Sequence, residues 1–190
     1  MSVKHLQLRM QQAKLLAAQA KCVRRGVGAV IVSAEGDLLS EGYNGMFKGG
    51  SNLCGDGKCD RADLCSGKEM DIGCIHAEMN AILHCARLGR STLGATMVLT
   101  TLPCHNCAKM IVQAGIVEVV VRRGSYPDTR GVQILRQQRV SVTEVDDIAA
   151  DGMGADDIAP VAPLQLTPAQ WVVSQSLFGV AVPSAIKPQS

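Results

Sequence analysis

The chain of 190 residues carries 19 basic and 17 acidic side chains, a formal net charge of +2, and is 47% hydrophobic but only 3% aromatic. That much apolar material can fill one domain core and excludes a wholly disordered chain. So few aromatic faces and so little net charge exclude a stacking platform for single-stranded nucleic acid and a broad basic footprint for a phosphate backbone, though not a local Arg or Lys cluster for a small anion.

Leu6, Met10, Ala13 and Ala17 recur at helical spacing, which predicts an amphipathic helix over about 3–21. The run Val27 to Val32, a Glu35-Gly36-Asp37 turn and Leu38 to Ser40 predict a β-hairpin. Gly42 to Gly73 is rich in Gly and Cys and too irregular for a helix or strand. A loop of that length is functional or tied by metal. Helices are predicted over His76–Leu88, Cys104–Ala114 and Asp128–Gln138, and strands over Thr96–Thr101, Val117–Val121 and Val140–Val145. This alternation predicts an α/β sheet covered by helices, in a domain spanning 1–147. The remainder, 148–190, reads as a tail. In it Thr167 as N-cap, Pro168 and Gln170 start a short helix over 168–178, with Trp171 and Phe178 one heptad apart and Gly179 to end it.

No stretch has the length and apolarity of a membrane span, and Met1 to Lys21 lacks the features of a secretory signal. The expected location is therefore cytoplasmic. The eight cysteines are expected to be reduced, where grouped Cys serve metal binding or catalysis.

Two segments carry the chemistry, His76-Ala77-Glu78 and Pro103-Cys104-His105-Asn106-Cys107. A catalytic zinc site needs three protein ligands and an open position for water, and His76, Cys104 and Cys107 supply them. Pro103 is expected to place both cysteines in the first turn of a helix, where backbone N–H groups and the helix dipole favour thiolates. Two thiolates offset the charge of the ion, so Glu78 is expected to act as a general base outside the ligand set. A lone C-x-x-C is often structural and a lone His-x-Glu carries little, but the two in this order outweigh both readings. His84 and His105 read as ordinary side chains. Five further cysteines, Cys22, Cys54, Cys59, Cys65 and Cys74, are candidates for a second, closed structural zinc, or for reduced thiols without metal.

Cys22-Val23-Arg24-Arg25-Gly26-Val27-Gly28-Ala29-Val30, Gly42-Tyr43-Asn44-Gly45, His76-Ala77-Glu78-Met79-Asn80-Ala81-Ile82 and the Pro103–Cys107 segment together resemble the deoxycytidylate deaminase family. The likeness covers about residues 6–145. It implies a three-layer α/β/α sandwich around a mixed five-stranded sheet, deamination of dCMP to dUMP, and a homohexamer. It also implies activation by dCTP and inhibition by dTTP through Gly42, Tyr43, Asn44 and Gly45, with Mg2+ accompanying a triphosphate effector. Carried over residue by residue, Asn44 would hydrogen-bond the deoxyribose, and Arg24 and Tyr126 would face the 5′-phosphate. Arg87 is a further anion-binding candidate, and Arg25 and Arg87 read equally well as solvated surface charges. Relatives with a second zinc place ligands where Cys22 and Cys74 stand here, while Cys54 is offset by one residue, so the choice among Cys54, Cys59 and Cys65 stays open. Met46 and Phe47 depart from the family's small residue and Pro after the Gly42–Gly45 loop.

Neighbouring readings are a dCTP or dual dCMP/dCTP deaminase, a tRNA adenosine deaminase and a non-catalytic zinc- or nucleotide-binding module. The low aromatic content disfavours RNA, and the presence of Glu78 disfavours the module. The resemblance implies nucleotides and further copies of the chain as partners, and neither membrane nor nucleic acid is expected.

Overall fold

A computed structural model describes residues 2–22, 24–50, 73–125 and 129–146 of the protein. Tyr126, Cys54, Cys59, Cys65 and the helix expected at 168–178 lie outside the described residues.

In chain order the elements are α1 (Val3–Gln19), β1 (Gly28–Val32), β2 (Leu38–Tyr43), α2 (Ala77–Arg87), β3 (Thr96–Leu99), α3 (His105–Gln113), β4 (Glu118–Arg122), α4 (Arg130–Gln137) and β5 (Ser141–Val145). The strands form one sheet in the order β2-β1-β3-β4-β5. β1 is antiparallel to both β2 and β3, while β3, β4 and β5 run parallel. The expected mixed five-stranded sheet between helix layers is thus the observed one.

The inner strands are apolar on both faces, and their alternation divides the core in two. Ala29, Ile31, Met97, Leu99, Val119 and Val121 face one side, with Ala77, Ala81, Ala108, Ile111, Val132 and Leu135 of α2, α3 and α4. Val30, Val32, Val98 and Val120 face the other, against Met10 and Ala13 of α1. Both faces of β1 are therefore buried, which is why it reads as a continuous apolar run. Cys85 sits in the first core as a small apolar side chain. α2 and α3 stop at Gly89 (φ 64°) and Gly115 (φ 73°), left-handed positions that suit glycine just past a helix end.

The hairpin differs from its sequence reading in one respect. β2 continues through Gly42 and Tyr43, which the irregular stretch had included. The reason is helix α2. Ser40 and Gly42 point toward it, and Ser40 Oγ donates to Ala81 O at 2.8 Å. A Cβ on Gly42 would lie 2.5 Å from Ala77 O and 2.6 Å from Ala81 N, so glycine lets strand and helix backbones touch. Along the outer edge of β2 the alternate carbonyls of Leu39 and Tyr43 accept from Arg90 and Asn80, and His84 Nδ1 lies 3.4 Å from Glu41 O. The sheet edge that could pair with another strand is thereby occupied by side chains of α2 and of the turn after it.

Candidate functional site

Two helix N-termini meet at the site. His76 is the N-cap residue of α2 and Cys104 that of α3. His76 Nδ1 lies 3.4 Å from Cys107 Sγ and 3.6 Å from Cys104 Sγ. All three ligand atoms fall within 4.8 Å of one another, and no other such group of three or more occurs among the described residues. A tetrahedral zinc, with nitrogen at about 2.0 Å and sulfur at about 2.3 Å, sets its N and S ligands about 3.6 Å apart. The donor set and its spacing therefore fit a zinc ion with one position left for water.

The cysteines do not both stand in the first helical turn. Cys104 has extended backbone (φ −67°, ψ 166°) as the N-cap, Pro103 precedes it, and only Cys107 is helical. A cap side chain folds back over the third helical residue, so Cys104 Sγ accepts from the Cys107 backbone N–H at 3.5 Å. This capping turn, rather than a shared helix face, brings the sulfurs together. Cys104 is pushed down to about 3, first by the hydrogen bond from the Cys107 thiol and further by His76. The same contact, followed by burial and the Glu78 charge, pushes the Cys107 thiol up. The pair thus presents one ready thiolate, and a dication between them would hold both as thiolates.

Glu78 is the second residue of α2 and is 3% exposed. Burial pushes its carboxyl above the ordinary carboxylate range, against the lowering effect of His76. It is also hydrogen-bonded to the Cys107 thiol, so it stands beside the ligand set. A buried carboxyl at that place, with its protonated form favoured, can exchange a proton with a neighbouring water.

The other sequence candidates fall in different places. Asn44 is buried, and its amide ties down the α1–β1 connection. Its Oδ1 accepts from Val27 N at 2.7 Å and its Nδ2 donates to Arg25 O at 2.9 Å. Arg24 lies on that connection and is exposed. Gly45 exchanges two backbone hydrogen bonds with Ile75, at 3.1 and 2.9 Å, directly before His76. Arg87 is exposed at the far end of α2 from Glu78, about 13 Å along the helix axis. Cys22 and Cys74 are half-buried. His84 and His105 do not belong to the cluster of His76, Cys104 and Cys107.

Sequence reasoning missed the brace behind the ligand loop. Ser125 Oγ accepts from Leu102 N at 3.1 Å, and Thr101 Oγ1 donates to Ser125 O at 3.2 Å. Arg25 Nη1 donates to Ser125 O at 3.1 Å and to Thr101 Oγ1 at 3.4 Å. Three segments distant in sequence hold the approach to Cys104, and no local pattern announces them.

Residues 3–123 match the family described as the cytidine and deoxycytidylate deaminase zinc-binding region. ComE operon protein 2 of Bacillus subtilis is 35% identical over 157 residues, covering 82% of this chain and 79% of the relative. The deoxycytidylate deaminase of Schizosaccharomyces pombe is 36% identical over 140 residues, 71% of this chain but only 42% of the longer relative. Among solved structures, the dCMP deaminase of cyanophage S-TIM5 in complex with dCMP and dUMP aligns with a TM-score of 0.65 and 32% identity. That alignment covers 76% of this chain and 99% of the other.

Proposed function

The chain belongs to the cytidine and deoxycytidylate deaminase family, and on that premise we propose that it hydrolyses dCMP to dUMP and ammonia. The observation that carries the reading is the convergence of His76, Cys104 and Cys107 on one point, with buried Glu78 beside them. The choice of dCMP is supported by the names of several relatives and by the cyanophage enzyme that binds dCMP and dUMP.

A zinc ion held by His76 Nδ1, Cys104 Sγ and Cys107 Sγ would supply a Lewis acid that lowers the pKa of water. Two thiolate ligands offset its charge, so the reaction leans on a protein base more than it would with three imidazoles. Glu78 takes the proton of the attacking water and delivers it to N3 of the ring. After attack at the carbon bearing the amino group, Glu78 takes the remaining proton from the newly added hydroxyl and passes it to the amino group, which departs as ammonia as the carbonyl forms. Its burial, which favours the protonated form, suits a group that alternates between base and acid.

Around this centre Arg24 and Tyr126 contact the 5′-phosphate and Asn44 the deoxyribose. Control by dCTP as activator, with Mg2+, and by dTTP as inhibitor would act through Gly42, Tyr43, Asn44 and Gly45. The Gly45–Ile75 hydrogen bonds give that segment a direct backbone link to His76. The reading further includes a homohexamer, a deaminase domain over 1–147 followed by a tail, and a cytoplasmic location consistent with the cysteine usage. Among the described residues no helix is long and apolar enough to cross a membrane.

A second zinc held by Cys22, Cys74 and members of Cys54, Cys59 and Cys65 completes the proposal. Metal analysis of protein never exposed to chelator is expected to give about two zinc ions per chain. Cys74→Ser should lose one of them and leave the deaminase site loaded. A wild-type ratio of one removes the structural site and keeps the catalytic one.

The substrate assignment is tested by ammonia release from dCMP, dCTP, CMP, deoxycytidine and a tRNA anticodon loop. dCMP is expected to exceed deoxycytidine in kcat/KM by about a hundredfold or more, since cationic groups built for a phosphate are left unpaired by the nucleoside. Arg24→Ala should erase most of that preference. Equal kcat/KM for nucleoside and nucleotide rejects the dCMP assignment.

A further inference from the structure

A cavity of about 310 Å³ opens beside the C-terminal half of α1. Its described lining contains Lys14 from α1, Arg25 from the α1–β1 connection and Arg122 from the end of β4, with Thr101 and Ser125, and no acidic side chain. None of His76, Glu78, Cys104 or Cys107 lines it. Lys14 and Arg25, from consecutive segments, meet Arg122 from the far end of β4 at this one cavity. These side chains also interact within the chain; what points to a ligand is their convergence on one open volume.

We propose that this cavity is a binding site for a phosphate-type anion. Arg25 is fixed at the wall by its bonds to Thr101 Oγ1 and Ser125 O. Ser125 Oγ accepts from Leu102 N and retains its own O–H to donate. A Cβ on Gly26 would lie 2.4 Å from Ala17 O, so glycine lets this wall close on α1. A volume near 310 Å³ is at the small end of ligand sites, enough for a phosphate or the phosphate arm of a nucleotide. An Arg fork and an ammonium recognise phosphate oxygens by charge-assisted hydrogen bonds. Thr101 and Leu102 lead directly into Pro103 and Cys104, so the Ser125 brace connects the cavity wall to the ligand loop.

The anion has two possible sources, the 5′-phosphate of the substrate or a separate phosphate compound. If it is the former, inorganic phosphate inhibits dCMP turnover competitively. If it is the latter, phosphate changes turnover without competing for dCMP. The binding itself is measured without the deaminase reaction, by calorimetric titration of inorganic phosphate into the zinc-loaded full chain at low ionic strength, where exposed charges are least screened. Its failure therefore leaves the deaminase reading untouched. One phosphate per chain is expected. The double variant Lys14→Ala and Arg122→Ala should weaken it by about tenfold or more per charge removed. Lys4→Ala, which removes an exposed charge at the start of α1, should bind like wild type. Lys14→Gln alone serves if the double variant does not fold. Absence of phosphate binding to the wild type, or equal binding by wild type and the Lys14 variants, overturns the site.

Discussion

Glu78→Gln is expected to slow ammonia release from dCMP by about a hundred- to ten-thousand-fold, the usual weight of a positioned general acid–base group. The substitution keeps the shape of a side chain that is 3% exposed and exchanges only the group that can carry a proton. His76, Cys104 and Cys107 are untouched, so the zinc content of the purified variant should equal that of the parent. The fold should also hold, because burial favours the protonated carboxyl and a neutral amide removes that desolvation cost. Loss of kcat with unchanged zinc identifies a proton carrier. Loss of zinc together with activity would make Glu78 a support for the ligands, and near-normal turnover would reject the mechanism.

Gly131→Ala should damage the same centre by a different route. Gly131 stands at the start of α4, and a Cβ there would lie 2.0 Å from Pro103 O, 3.0 Å from Pro103 C and 3.1 Å from Cys104 C. Those atoms are backbone, so no rotamer change can relieve the clash; helix and ligand loop must part. Overpacking of this kind costs about 3 kcal/mol, and the melting temperature should fall by about 6–12 °C for a chain of this size. Because Cys104 belongs to the displaced loop, zinc affinity should fall by about tenfold or more, as when the supports of a metal ligand are disturbed. Gly45→Ala is the control for stability, since its nearest neighbour, the Tyr43 ring, is 3.8 Å away. It should cost under about 1 kcal/mol. Thermal melts and zinc titrations of the two variants decide the matter. If Gly131→Ala behaves like Gly45→Ala, the contact of α4 with Pro103 and Cys104 does not hold the site.

Much of this protein is legible in its sequence because the relevant physics is local. The 3.6-residue spacing of Leu6, Met10, Ala13 and Ala17 predicts α1, whose inward face buries Met10 and Ala13 with Leu6 and Leu16 packed beside them. Short β-branched runs between helical segments predict the parallel strands β3, β4 and β5, with ends displaced by one or two residues. The ligand set of His76, Cys104 and Cys107 is equally local, since each half is a compact motif whose residue types serve one chemistry. Arg24, Asn44 and Tyr126 come from a resemblance alone, since no local pattern required them.

What only the tertiary structure decided depends on segments far apart in the chain. Val30 and Ile31 are alike in sequence, and only the placement of α1 on one face and of α2, α3 and α4 on the other assigns each to its core. Gly42 reads as loop until α2 lies across it and turns its missing side chain into a packing requirement. The meeting of His76 with the cysteines requires two helix starts to be set side by side at the end of the sheet, and Cys104 to act as a cap rather than a first-turn residue. The bracing of the ligand loop by Ser125 and Arg25, and the gathering of Lys14 and Arg25 with Arg122, join residues far apart in the chain. A local pattern records which chemistry a residue can perform, but the neighbours that give it a partner, a charge environment or a steric limit arrive only when the chain folds.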